Sequence, residues 1–393
     1  MRRSGRIALV AGAAIAGAAA VRPILDAAVA RVEAGMNPVW PPDEGPVSDQ
    51  ARALHATLRV ADLHADSLLW GRDLLERGSR GSVDVPRLIE GNVALQVLAM
   101  AVKTPRGLNI ERNEDTSDQV LAIALAKRWP PATWGKLLPR VRHLAAQAHA
   151  LEARSHGAFR VVTSQADLAA YLAAREARGS ITAGLLAIEG AHALDDDPRN
   201  LDAVADVGIR MISPAHFFDT VFGGSAHGVE QGGLTVRGRE LLEAAEARGI
   251  VFDVAHASSR TIDHTLALAS RPVVASHTGV RGVLDNARNL PDPQLEGIAA
   301  TGGVVGIGFW DTACGGRDAS WIARSIAYAV ERIGAEHVAL GSDWDGAVGV
   351  PFDAANVVRL TAALLDVGLD EPAIRAVMGE NVLRVLAATL PPV

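Results

Sequence analysis

Eight short, nearly continuous apolar runs recur along this chain. They lie at Leu58–Asp62, Val93–Val102, Ala183–Ile188, Ile209–Ser213, Ile250–Val254, Pro272–Ser276, Gly303–Phe309 and Val338–Ser342. Apolar runs without polar alternation mark strands covered on both faces, as in a parallel sheet. Most intervals hold an amphipathic helical segment, for example Gly238–Arg248, Ser259–Ala269, Pro293–Ala300 and Ile322–Ile333. Strand and helix alternating in this way predict a (β/α)8 TIM barrel over residues 49–390. A different α/β arrangement, with the runs paired in another order, is the runner-up. The long interval Thr104–Ser180 is an excursion with helices at Thr116–Arg128 and Leu137–Ala153, and Glu371–Leu390 closes the chain as a helix.

Residues able to bind or serve a metal stand at the ends of these runs. His64 and Asp66 follow the first, Glu189 the third, His256 the fifth, His277 the sixth and Asp343 the eighth. A parallel barrel gathers its strand C-termini around one mouth, where active sites are built. Imidazole and carboxylate together are the ligand set of zinc and its neighbours. This set exceeds the needs of one tetrahedral ion, so it predicts a binuclear site in a metal-dependent hydrolase. His64 and Asp66, two apart, point the same way from an extended strand end and reach one cation. A carboxylate such as Glu189 at the end of an apolar strand is costly unless paired or metal-bound, and its two oxygens can bridge two ions. Taken singly, each of these residues has a plain structural reading as a hydrogen-bonded strand end, a salt bridge or a buried histidine. Their shared position argues for function.

Candidate roles extend beyond the ligand set. His216, at the end of the fourth run, is either a ligand or a neutral donor to a developing oxyanion. His192 is placed in support of the ligands. Asp343 can carry a proton between water and leaving group, with Asp345 of Gly341–Gly346 as its rival. Arg288 can hold a substrate carboxylate bidentately.

Composition narrows the class. The chain of 393 residues is 49% hydrophobic and 21% charged with net charge −7, so it has ample core and no bias toward nucleic acid. Its single cysteine, Cys314, rules out an intrachain disulfide. Arg2, Arg3 and Arg6 precede an apolar stretch, Ile7–Val21, with a small-residue step at Ala18–Ala20. That is the pattern of a secretory signal, and it falls short of the roughly 20 residues of a comfortable transmembrane helix. Residues 1–21 are therefore expected to be a signal peptide or N-terminal anchor, and the body to be exported, periplasmic or secreted. Prolines in Pro38–Ser48 prevent helix, so residues 22–48 are expected to be a linker.

Taken together, these residues resemble the membrane (renal) dipeptidases, zinc peptidases of the amidohydrolase superfamily. The resemblance runs from about Arg59 to Leu386. It rests on Asp62–Asp66, Asp84-Val85-Pro86-Arg87-Leu88, Glu189-Gly190-Ala191-His192, Gly233-Leu234-Thr235 with Gly238-Arg239, and Asp253–Ser258. Ser276-His277, Arg288-Asn289-Leu290, Gly341–Gly346 and Asn381–Val385 complete it. It implies two Zn2+ ions, with His64 and Asp66 on one, His256 and His277 on the other, and Glu189 bridging. It further implies that His216 binds substrate near the scissile carbonyl, Arg288 takes the terminal carboxylate and Asp343 moves the proton. The implied reaction is hydrolysis of a dipeptide amide, L-L and also L-D, by a metal-bridging hydroxide. The chain departs from the family at Asp219, where asparagine is common, at Trp310, where an aromatic hydroxyl is common, and in lacking the disulfides of the animal enzymes.

Two alternatives stay open. One is another amidohydrolase, a lactonase or β-lactam-opening enzyme. Such relatives usually bridge their metals with a carboxylated lysine, and Lys103 is the only lysine near a strand end. The other is a catalytically inactive binding protein. A dipeptide is the expected partner; a membrane anchor and a homodimer are further expectations.

Overall fold

The computed structural model describes residues 22–41 and 45–393. The signal or anchor expected over residues 1–21 lies outside them. Among the described residues no helix is long and apolar enough to cross a membrane. The described strands are β1 (Val60–Ala65), β2 (Val93–Met100), β3 (Phe159–Val161), β4 (Thr182–Ile188), β5 (Ile209–Ile212), β6 (Val251–Asp253), β7 (Val273–Thr278), β8 (Val304–Ile307) and β9 (Val338–Leu340). All but β3 close into a ring. β1 pairs with both β2 and β9, β2 pairs with β4, and each later strand pairs with the next, always in parallel. The protein is a (β/α)8 TIM barrel. β3 stands outside the ring, paired with residues Thr182–Gly184 on the edge of β4 that β5 takes over from Leu186 onward.

The apolar runs behave as strands because both of their faces are buried. Along β2 and β4, Leu95, Val97, Ala99, Ala183, Leu185 and Ala187 belong to the core inside the barrel. Their neighbours Leu98, Met100, Leu186 and Ile188 pack outward beneath the helices. Side chains that set helix starts are visible in the sequence as well. Thr235 accepts from Gly238 N, Ser258 from Thr261 N and Ser164 from Asp167 N, each satisfying a backbone donor that a helix leaves open. The C-terminal helix is interrupted. It runs as Glu371–Arg375, a π-helical turn Ala376–Glu380 and Asn381–Thr389. At the turn a side chain on Gly379 would collide with the Arg59 carbonyl, so glycine lets this helix close against the entry of β1.

The span expected as a linker, residues 22–48, contains a helix. Residues 22–36 form a helix, α1, before the chain turns through Pro38 and Trp40. The prolines that suggested an extended segment, from Pro38 onward, all follow α1. The turn after α1 is tied to the barrel: Trp40 N donates to Val350 O at 2.8 Å and Val350 N to Pro38 O at 3.0 Å.

Candidate metal centre

Two β-bulges aim the first candidate ligands. Between Asp62 and Ala65, β1 has one more residue than β2 has between Gln96 and Leu98. Between Ala275 and Thr278, β7 likewise has one more than β8 has between Val305 and Ile307. An inserted residue breaks the strict alternation and re-aims the neighbouring side chain, as bulges do at barrel rims. His64 and His277 sit in these insertions, inside β1 and β7, where the sequence had placed them just beyond the strand ends. Two other contributors are held in the left-handed region that non-glycine residues avoid: His256 at φ 61° and Asp343 at φ 58°. His256 O accepts from Ala226 N at 2.8 Å and Asp343 O from Gly346 N at 3.0 Å, so each conformation is fixed by its loop.

Glu189 is the hub. Its Oε1 lies 3.0 Å from His256 Nε2, 3.3 Å from His277 Nε2 and 3.6 Å from His64 Nε2, and its Oε2 lies 3.2 Å from His216 Nε2. His64 Nε2 also lies 3.4 Å from Asp66 Oδ2 and 3.9 Å from Asp343 Oδ1. His256 Nε2 faces His277 Nε2 at 3.0 Å. All these side chains are buried. Three groupings have the geometry to hold a metal ion: His64 with Glu189 and His277, Glu189 with His216 and His256, and His64 with Asp66 and Asp343.

The donor chemistry fits a cation. Imidazole nitrogens facing one another and a shared carboxylate oxygen are electron-pair donors crowded together, which a positive ion relieves. His64 Nε2 and Asp66 Oδ1 are buried with no hydrogen-bond partner among the described residues. Burial, reinforced by Arg288 and the neighbouring rings, holds His256, His277 and His216 well below the ordinary imidazole range, so they are neutral, the form that ligates. Burial alone would lower His64 too, but Glu189, Asp66 and Asp343 outweigh it and bring it to about 10. Burial, together with the Asp66 and Asp343 carboxylates, raises Glu189 well above its ordinary value. A divalent ion would replace the proton that this cluster otherwise retains.

Side chains behind the ligands set their orientation, and the sequence reading missed them. Asp253 accepts from Ser276 N at 2.8 Å and from Ser276 Oγ at 2.6 Å. Because that hydroxyl proton goes to Asp253, Ser276 Oγ accepts from His277 Nδ1 at 2.8 Å, which leaves Nε2 free of a proton and aimed at Glu189. The same device recurs across the barrel, where Asp62 accepts from Ser342 N at 2.7 Å and Ser342 Oγ at 2.8 Å. Each clamped serine immediately precedes a site residue, His277 or Asp343. The repeated serine was the signal available in the sequence.

The two candidate carboxylates of the eighth loop differ sharply. Asp345 accepts from Ser67 Oγ at 2.6 Å, from Ser82 N at 2.7 Å and from Arg72. It is occupied in shaping the loop. Asp343 faces His64, and burial, with added repulsion from Asp66 and Asp62, lifts it to about 7 against the pull of His64 and Arg288. Arg288 is buried, its Nη2 donating to His277 O at 2.6 Å and lying 3.3 Å from His256 Nε2, with its guanidinium 5.4 Å from the Trp310 ring centre. Trp310 thus takes up the residue difference noted in the sequence as a cover for this cation. Asp219, the other departure, accepts from Ser225 N and Glu230 N at 2.9 and 2.7 Å and shapes the loop after β5. His192 packs on Phe218, 4.8 Å between ring centres, outside the three groupings.

A cavity of about 590 Å³ opens above this cluster, lined at its base by Glu189, His216, His256, His277, Arg288 and Asp343. Its size is that of a small-molecule site.

Comparison with known proteins places these features in a family. A family model described as membrane dipeptidase, peptidase family M19, matches residues 48–390. An uncharacterized protein in the pqqA 5′ region of Klebsiella pneumoniae is 34% identical over 252 residues, 60% of this chain and 91% of its own length. Dipeptidase verJ of Clonostachys rogersoniana is 32% identical over 217 residues, 53% of this chain and 56% of its own. Among solved structures, a metallopeptidase from Rhodobacter sphaeroides, liganded with a phosphinate mimic of the dipeptide L-Ala-D-Ala, is 27% identical. It superposes with a TM-score of 0.69 over 85% of this chain and 99% of that one.

Proposed function

The chain belongs to the membrane dipeptidase family and is a metallo-dipeptidase, and from that premise we propose that it is a zinc enzyme with a binuclear centre that cleaves L-L and L-D dipeptides. The observation that carries the proposal is the convergence of His64, His256 and His277 Nε2 on one oxygen of Glu189. In this reading His64 and Asp66 would hold one ion and His256 and His277 the other, with Glu189 available to both. When bound, zinc supplies Lewis acidity toward a carbonyl and makes a water acidic enough to ionise near neutral pH.

The chain's own residues do the rest. The guanidinium of Arg288 binds the dipeptide's terminal carboxylate; among the described residues only its Nη2 is engaged, so the remainder of the fork is left for a ligand of the cavity. Recognition of that carboxylate limits the substrate to two residues, because a longer chain would set an uncharged amide against the cation. Neutral His216, held at the Glu189 side of the cavity, donates toward the carbonyl oxygen as charge develops there. Asp343, with an affinity for protons near neutrality, takes a proton from water at its carboxylate and returns it to the departing amine. Acceptance of a D-residue at the second position is supported by the L-Ala-D-Ala mimic held by the Rhodobacter relative. The basic start and apolar stretch of residues 1–21 support export of the catalytic body.

The test is metal analysis of the purified protein coupled to a screen of L-L and L-D dipeptides. Two zinc ions per chain and turnover of free dipeptides, but not of their C-terminal amides, are expected. Purified protein without metal, or dipeptides untouched while lactones turn over, would reverse the assignment.

A further inference from the structure

The mouth of the cavity has a wall that the barrel does not supply. Ala28, Val29, Val32 and Met36 of α1 line it, and their spacing puts them on one face of the helix. The same cavity is also lined by Leu69, Leu108, Ile110, Ile123 and Val348, likewise apolar. The base of the cavity is ionic, and the rest of its lining is largely apolar, with Arg106, Asn109 and Gln119 among its polar members. Val32 is 50% exposed, an apolar side chain turned to open space at a site that otherwise gathers apolar neighbours. The matched family region begins at residue 48, so this wall comes from a segment outside it.

α1 is not loosely laid against the mouth. Glu33, fully buried, pairs with Arg72 Nε and Arg80 Nε, each at 2.5 Å, and Arg72 in turn pairs with Asp345. Asp26 pairs with Lys127 at 3.2 Å, beyond the helix that carries Ile123. Just after α1, Asn37 Oδ1 accepts from Ala347 N at 2.7 Å. A buried ion pair is strongly destabilising to break from one side, so these contacts fix where the helix lies. They also tie it to the loop that carries Asp343.

We propose that the face of α1 bearing Val29, Val32 and Met36 is an apolar side-chain subsite, which makes this enzyme select dipeptides with a large aliphatic or aromatic side chain. The inference rests on the dipeptidase reading above. The metal cluster, His216 and Arg288 engage groups common to every dipeptide, namely the carbonyl and the carboxylate. What distinguishes one dipeptide from another must be read by the remaining walls. An apolar wall rewards each added methylene and gives a polar side chain no partner.

The experiment compares the full chain with its Val32→Gln variant, using Ala34→Gln on the outer face of α1 as the control. Position 32 is half exposed and glutamine is a good helix former, so the fold is retained. Two series are assayed, X-Ala and Ala-X, with X as Gly, Ser, Leu or Phe, and phosphinate mimics of Leu-Ala and Gly-Ala are titrated for binding. Wild type and Ala34→Gln should favour Leu or Phe over Gly by at least roughly tenfold in one series, the discrimination a few methylenes provide. Val32→Gln should collapse that ratio in kcat/KM and in phosphinate affinity. An unchanged ratio in Val32→Gln, with dipeptides still cleaved, overturns the subsite and leaves the dipeptidase reading standing. Wild type that neither cleaves any dipeptide nor binds either phosphinate overturns both.

Discussion

Replacing Ser276 by alanine tests whether ligand orientation is built into the strands behind the metal centre. The substitution removes one hydroxyl and two contacts: the 2.6 Å bond donated to Asp253 and the 2.8 Å bond accepted from His277 Nδ1. Asp253 keeps the Ser276 and Ala255 backbone donors at 2.8 and 2.9 Å, so its charge stays partly satisfied. His277 loses what holds its proton on Nδ1, and the tautomer protonated on Nε2 competes with the metal for that nitrogen. A hydrogen bond to a charged group contributes about 1.5–3 kcal/mol. Tenfold in affinity corresponds to about 1.4 kcal/mol. In the two-zinc reading proposed above, one site should therefore weaken by roughly 10–100-fold, the range found when a partner behind a metal-bound histidine is removed. Competition against a chromogenic chelator, started from apo protein, resolves the two sites and should show one shifted and the other in place. The parallel Ser342→Ala variant, whose clamp precedes Asp343, should spare the site that Ser276→Ala weakens. If Ser276→Ala lowers the melting temperature of the apo protein but leaves both zinc affinities at their wild-type values, the serine is a packing residue and the orientation argument fails.

Two further outcomes follow from the same geometry. Arg288→Ala should raise KM for free dipeptides by about 100-fold, the loss expected for a charge-assisted bidentate pair of about 3 kcal/mol, and shrink the preference for a free over an amidated C-terminus; an unaltered free-to-amide ratio would make the arginine structural. His55, whose Nε2 donates to Gly91 O at 3.0 Å and whose Nδ1 meets Thr361 Oγ1 at 2.8 Å, has its pKa lowered by burial, the Gly91 carbonyl opposing. Its stabilising effect is complete above the unfolded value of about 6.5 and is lost as pH falls below that toward the folded value, at up to about 1.4 kcal/mol per pH unit. Thermal melts between pH 7 and 5 should accordingly fall more steeply for wild type than for His55→Gln, and equal slopes would remove His55 from the acid response.

The barrel was legible because its strands are buried on both sides, which turns each into an apolar run that composition alone exposes. β3 escaped notice since a strand of three residues with an exposed Arg160 between Phe159 and Val161 carries no run at all. The site residues were legible for a related reason: a charged or imidazole group at the end of an apolar run demands a partner. What surrounds them was less so. A bulge leaves no mark in the residues that form it, so His64 and His277 were read as lying past their strands. The serine clamps depend on which strands are neighbours, β6 with β7 and β1 with β9, and pairing across the ring is not written in local sequence. Helix α1 was hidden by the prolines that follow it. Its apolar residues, Ile24, Val29, Val32 and Met36, do recur at helical spacing, but in a segment whose neighbours point to export and extension.

The position of α1 in the chain separates two kinds of inheritance. The candidate ligands and catalytic groups are spread over most of the barrel, so any rearrangement within residues 60–345 disturbs several at once. The helix that overhangs them precedes the barrel and is joined to it by the short stretch between Trp40 and Asp49. A genetic crossover in that stretch exchanges the overhang as a cassette without altering the candidate ligands themselves, provided that the incoming helix brings a carboxylate to meet Arg72 and Arg80. Diet, in such a protein, can drift while chemistry stays put.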